Sequence, residues 1–169
     1  MANTFELIAS NTLLSSAASV TFSAIPSTYK DLVLKTSTRL TGTTGTTVTL
    51  QLNSDTTANK TYTRIYGDGT TAAAQSSSSQ TTFFVAYQNS SSTTANTFTS
   101  AEVYLGNYAA TRNKMASSFS AQENNSTTAY IYSSSNYWPV TTVISGLTIS
   151  SAGTFEVGSS FFLYGIKNS

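Results

Sequence analysis

Apolar residues in this chain recur at every second position, and no segment carries a 3.6-residue apolar stripe over ten or more residues. From Asp31 to Leu40 one face holds Leu32, Leu34, Thr36, Thr38 and Leu40, and the other holds Val33, Lys35, Ser37 and Arg39. A period of two places successive side chains on opposite sides of a pleated strand, so each such run reads as a strand with one buried face. Val48, Leu50 and Leu52 alternate with Thr47, Thr49 and Gln51; Ala101, Val103 and Leu105 alternate with Ser100, Glu102 and Tyr104. Val143, Leu147 and Ile149 continue the pattern. Weaker strands are expected at 4–10, 19–23, 61–66, 81–87, 115–122 and 129–132, and one short helical turn at 12–19. Turn signals separate them: Pro26-Ser27, Thr41-Gly42, Gly67-Asp68-Gly69, Asn107, Asn124-Asn125 and Ala152-Gly153. The pattern predicts one all-β domain over residues 1–169: an antiparallel, jelly-roll-like β-sandwich of about ten short strands with an N-terminal arm. The expected core is Leu32, Leu34, Val48, Leu50, Leu52, Val103, Leu105, Phe119, Val143, Leu147 and Ile149.

Three stretches stand apart from the alternation. Ala72–Gln80 and Gln88–Asn96 are dominated by Ser, Thr, Ala, Asn and Gln, and are expected to be mobile surface loops flanking the 81–87 strand. Phe161–Ile166 is apolar on both faces, which suits a central strand covered on both sides or a strand that meets another subunit.

Composition narrows the chemistry. The chain has no Cys and no His, which removes thiol nucleophiles, disulfides, the usual base near neutral pH and the commonest metal ligand. Charged residues make up 9%, against roughly 25% in an ordinary domain. The eight basic residues are scattered, so the chain lacks the basic footprint that displaces counterions from phosphate, and no nucleic-acid partner is expected. Polarity comes instead from Ser and Thr, roughly a third of the residues. The start, Met1-Ala2-Asn3-Thr4-Phe5-Glu6, shows no basic n-region followed by an apolar stretch, and no run approaches the ~20 apolar residues that span a bilayer. A chain made in a cytoplasm, with no membrane partner, is the expectation. Glycosylation patterns such as those at Asn59, Asn89 and Asn125 are what chance gives in so Asn/Ser/Thr-rich a sequence.

No catalytic residue, cofactor or metal is expected. Seven carboxylates are present, and a pair such as Glu102 with Glu123 would be needed for glycoside hydrolysis. The alternation turns both outward, where carboxyl groups keep ordinary acidity. Ser nucleophiles lack a base, and Gly67-Asp68-Gly69 is too short to cradle phosphate. Asn53, Asp55 and Asn59 have calcium-like spacing, but one charge and no following bidentate Glu make loop capping the better account. The aromatic cluster Tyr130, Tyr132, Tyr137 and Trp138 reads as strand, polar loop, next strand. Its first reading puts Trp138 and one Tyr in the core, ahead of a subunit or partner contact and then a glycan platform.

Several segments, in order along the chain, carry a resemblance. They are the opening Ala2–Ser10, Ile25-Pro26-Ser27-Thr28-Tyr29-Lys30-Asp31-Leu32, Leu52–Tyr62, Arg64–Gly69, Ala101-Glu102-Val103-Tyr104-Leu105-Gly106-Asn107-Tyr108, and Leu163-Tyr164-Gly165-Ile166-Lys167. Together they resemble a group of small virion proteins of tailed bacteriophages, especially phages of cyanobacteria and marine bacteria. The resemblance implies a non-enzymatic β-sandwich on a virion. It suggests a capsid decoration or cement protein that binds the major capsid protein, or alternatively a tail-fibre or receptor-binding, carbohydrate-binding module. It offers no catalytic positions. A virion surface location and a homo-oligomer, a trimer by match to local three-fold points, are expected. The residues available for such contacts are Phe5, Leu7 and Ile8 of the N-terminal arm, Tyr130, Tyr132, Tyr137 and Trp138, and Phe162 and Tyr164 of the last strand.

Overall fold

The computed structural model describes residues 4–42, 46–123 and 129–167, so the Asn124-Asn125 turn and the Asn125 glycosylation pattern lie outside the described residues. Twelve strands form, and no helix occurs among the described residues: β1 (Phe5–Thr12), β2 (Ala17–Phe22), β3 (Asp31–Thr38), β4 (Thr47–Leu52), β5 (Lys60–Gly67), β6 (Ala72–Gln80), β7 (Phe83–Tyr87), β8 (Thr99–Gly106), β9 (Lys114–Glu123), β10 (Ala129–Trp138), β11 (Leu147–Phe155) and β12 (Ser160–Ile166). They make two antiparallel sheets of unequal width. The larger has eight strands in the order β1-β12-β3-β8-β9-β10-β5-β6; the smaller has four, β2-β11-β4-β7. The fold is the expected all-β sandwich, with twelve strands rather than about ten.

The strongest alternations land where the pattern puts them. Leu32, Leu34, Val103, Leu105 and Leu163 from the large sheet meet Val48, Leu50, Leu52, Leu147 and Ile149 from the small one, all essentially enclosed. Two expected core residues are not there. Val143 lies in an irregular connection and is 39% exposed, while its neighbour Ile144 takes the buried place. Phe119 is 51% exposed, because β9 is amphipathic in the reverse sense. Its inward residues are Lys114, Ala116, Ser118, Ser120 and Gln122, and its outward ones include Met115 and Phe119.

The reversal has a physical cause. β7 is an edge strand of the small sheet, and its backbone is satisfied by side chains of β9 and β10 in place of a neighbouring strand. Asn136 accepts from the Phe84 amide at 2.8 Å through Oδ1 and donates to the Phe84 carbonyl at 3.1 Å through Nδ2. Ser118 adds a hydroxyl to the same carbonyl at 3.2 Å, and Gln122 donates to the Gln88 carbonyl at 3.2 Å. All these groups are buried, so polar residues are required on the inner face there.

Three further expectations are corrected. The 12–19 helical turn is absent: Thr12 ends β1 and Ala17 opens β2. Ala72–Gln80 is not a loop but a nine-residue edge strand paired with β5, since small polar residues satisfy a sheet's steric demands as well as a loop's. Tyr130–Trp138 is one continuous strand, with Ser133–Ser135 paired on both sides. Gln88–Asn96 is irregular, yet Gln88, Asn89 and Ser90 are buried, which also closes Asn89 to a glycan. The nearly enclosed Arg39 anchors that loop: Nη1 donates to the carbonyls of Thr94 (2.7 Å) and Thr97 (3.0 Å), and Nε pairs with Glu156 at 2.7 Å.

Four of the segments that carry the resemblance, those at residues 2–10, 25–32, 101–108 and 163–167, meet at one corner of the sandwich. Asp31 accepts from the Tyr104 hydroxyl and the Asn107 amide, each at 2.6 Å. The Tyr108 hydroxyl donates to the Pro26 carbonyl, and Lys167 pairs with Glu6 at 2.5 Å. Tyr29 lies against the bare Cα of Gly165, where any Cβ would collide with its ring.

Replacing Asn136 by Leu keeps the volume, strands the Phe84 amide and leaves the Phe84 carbonyl only the serine hydroxyls of Ser118 and Ser134. The expected loss is about 3 kcal/mol, read as a lower denaturation midpoint with an unchanged m-value. A loss below about 1 kcal/mol would mean that the clamp is dispensable.

Candidate functional site

The outer face of the large sheet is where the sequence leaves apolar area in solvent. Cross-strand register aligns Phe162, Lys35, Glu102, Phe119, Ser133, Ile65 and Ala74 in one transverse row. Other rows on the same face hold Leu7, Tyr164 and Tyr104 together, Met115 in a second and Ile131 in a third. Ile65 is 62% exposed, Met115 57% and Ile131 46%. Ile65, Gly67, Ala72, Ala74 and Ile131 line an open groove of about 540 Å³. The exposed charges on these strands are the mutually paired Lys35 and Glu102, 3.0 Å apart, and Glu123. Eight strands give seven steps of ~4.8 Å, so the face is about 34 Å wide.

The expected contact residues divide between the two sides of this sheet. Phe5 and Leu7 are about half exposed and share the outer face with Phe162 and Tyr164. Ile8 sits at the β1 bulge and packs on the core. Alternation along β10 sends Tyr137 outward, opposite Met115, and Tyr130, Tyr132 and Trp138 inward. Trp138 is 2% exposed, with the Lys60 ammonium 5.3 Å from its ring centroid, which places it in the core.

Inward, the large sheet extends past β7, and its overhang carries an aromatic ledge. Alternation in β5 puts Tyr62, Arg64 and Tyr66 on this side. Tyr66 stacks on Tyr132 at 5.4 Å and Tyr132 on Tyr87 at 5.2 Å, both at 17°. The Arg64 guanidinium carbon lies 4.5 Å from the Phe84 centroid and 5.6–5.9 Å from those of Tyr62, Tyr66, Tyr87 and Tyr132. Burial raises the Tyr132 phenol above its usual range, and the neighbouring Tyr87 adds to the effect, so it stays protonated near neutral pH.

The carboxylates are placed differently from a catalytic pair. Glu102 faces Phe119 across β8 and β9, and Glu123 lies four residues further along β9, roughly 13 Å away at ~3.3 Å per residue. Glycoside hydrolysis needs about 5–9.5 Å. Asn53 and Asp55 serve the backbone: Asn53 Oδ1 accepts from Ser145 and Gly146, and Asp55 Oδ1 accepts from the Thr57 amide. Asp55 Oδ2 pairs with the enclosed Lys60 ammonium at 2.7 Å. Among the described residues no group of three or more Asp or Glu converges on a point.

No family model, curated protein or solved structure matches the chain. Sequence reasoning passed over Ile65, Met115, Ile131 and Arg64. The Tyr62-x-Arg64-x-Tyr66 alternation was the available signal for the ledge.

Acid is expected to weaken the fold. The Lys60 ammonium, then the Thr57 hydroxyl and amide, hold the Asp55 carboxyl far below the usual carboxylate range. Lys167 lowers Glu6, and the Thr71 and Thr70 amides lower Asp68. A carboxyl with a depressed folded pKa stabilises above its unfolded value near 4, and that stability is lost as pH falls toward the folded value. Thermal midpoints should therefore drop between about pH 5 and pH 2. Asp55→Asn should melt earlier at neutral pH and show a shallower acid slope; an unchanged slope would contradict the assignment.

Proposed function

We propose that the protein is a structural component of a tailed-phage virion, a decoration or cement protein. It lays the outer face of its large sheet against the shell of the major capsid protein. The observation that carries this reading is that face: a broad, nearly uncharged surface with large apolar side chains from five strands left in solvent. Exposed apolar area on this scale marks a contact surface, and the single Lys35–Glu102 pair adds little that would orient a charged ligand. The resemblance of the Ile25–Leu32, Ala101–Tyr108 and Leu163–Lys167 segments to phage virion proteins supplies the class of partner.

The role is non-enzymatic, and the working unit is a homo-oligomer, a trimer at the local three-fold points of the shell. Linked contacts of modest strength then combine through effective concentration, by ~10²–10⁴. Bound copies bridge neighbouring capsid subunits and oppose shell expansion.

The double variant Phe119→Asp with Ile131→Asp changes exposed side chains, so the fold should survive. Wild-type protein added to particles stripped of it should rebind and raise the temperature at which DNA is released. The folded double variant should lose binding by at least about tenfold, the effect of removing central apolar anchors from a contact. Rebinding at wild-type strength would refute docking through this face.

A further inference from the structure

We propose that the Arg64 ledge is a binding site for a carboxylate-bearing saccharide of the hexuronic-acid class. The inference does not rest on the capsid reading. The ledge is on the opposite side of the large sheet from the outer face, so both surfaces can be occupied at once.

Arg64 carries a charge that no carboxylate among the described residues balances. Lys35, Arg39, Lys60 and Lys167 each have a carboxylate within 4 Å; among the described residues Lys30, Arg64, Arg112 and Lys114 have none, and of these four Arg64 is the one set among aromatic rings. Its one side-chain partner is the Gln75 amide oxygen, which accepts from Nη2, and its Nε is buried without a hydrogen-bond partner. Five aromatic rings hold the guanidinium in place without consuming its in-plane donors. A planar, five-donor fork held this way matches a carboxylate, which it binds through two parallel hydrogen bonds.

The surroundings specify what else the ligand carries. Tyr62, Tyr66, Tyr87 and Tyr132 are all partly exposed, and β6 adds Gln75 and Ser77 beside Arg64 and Tyr62. Phenol, hydroxyl and amide groups around aromatic edges suit the ring hydroxyls and apolar C–H faces of a sugar. An acidic peptide would satisfy Arg64 and leave the tyrosine row unaddressed. A hexuronate satisfies both.

The test is a ¹H–¹⁵N NMR titration of the full chain with sodium glucuronate, with glucose, sodium acetate and tetraglutamate as separate arms. Glucuronate should give saturable shifts confined to Tyr62, Arg64, Tyr66, Gln75, Ser77, Tyr87 and Tyr132. Glucose and acetate, each carrying half of the required chemistry, should bind at least about tenfold more weakly. Arg64→Gln should lose at least about tenfold in affinity, and Arg64→Lys, which keeps the charge without the fork, should fall between. Should Arg64→Gln fail to fold, the wild-type shift map and the acetate and glucose arms still decide. The proposal is overturned by no saturable shift at tens of millimolar glucuronate, by acetate or tetraglutamate binding as tightly, or by full affinity in folded Arg64→Gln.

Discussion

Asn136 stands in for a missing strand. A four-stranded sheet facing an eight-stranded one ends partway across it, and its edge strand β7 then has backbone groups with no strand to bond. The Asn136 side chain meets the Phe84 amide and carbonyl together, much as a neighbouring strand would, and Ser118 and Gln122 extend the repair along the edge. The rest of the architecture follows. The inner faces of β9 and β10 must be polar where β7 crosses them, so their apolar side chains, Met115, Phe119 and Ile131, turn to the outer face. Beyond β7 the large sheet has no partner layer, and tyrosines with Arg64 cover it instead of aliphatic core.

A second constraint is the scarcity of charge. A few of the charged groups that are present, Arg39 and Lys60 among them, do structural work from buried positions. Arg39 collects the carbonyls of Thr94 and Thr97, and Lys60 collects those of Asp55 and Thr57 along with the Asp55 carboxylate. Each enclosed cation turns a Ser/Thr-rich connection into a fixed one, because the loop supplies the acceptors that the charge must have. The Gln88–Asn96 loop, which composition alone marks as mobile, is anchored in this way by Arg39.

Much of the fold was legible in the sequence, because period-two alternation with aliphatic residues on one face has a single solution: Leu32 and Leu34, Val48 to Leu52, and Leu147 and Ile149 are core for that reason. The pattern failed where alternation had no aliphatic face to mark. Ala72–Gln80 offers nothing but small and polar residues, so strand and loop look alike. Ser133–Ser135 looks like a loop between aromatic strands, and only pairing with β5 and β9 makes it strand. Phe119 misled because large apolar residues are assumed to point inward, which β7's unmet hydrogen bonds reverse. The ledge was legible only as spacing: Tyr62, Arg64 and Tyr66 share a face in any strand, but their meeting with Tyr87 and Tyr132 depends on strand order.

The segments behind the phage resemblance have structural duties of their own, since Asp31, Tyr104, Tyr108, Tyr29 and Gly165 close one corner of the sandwich. Those contacts account for the residues within the fold and do not specify what the protein docks to, so the docking proposal rests on the outer face. If the chain is a virion component, electron cryomicroscopy of intact particles that contain it tests the proposal most directly. The account predicts density for this sandwich on the capsid exterior, with Phe119 and Ile131 turned toward the shell. Density at a tail tip alone, or on the capsid with that face turned to solvent, would contradict it.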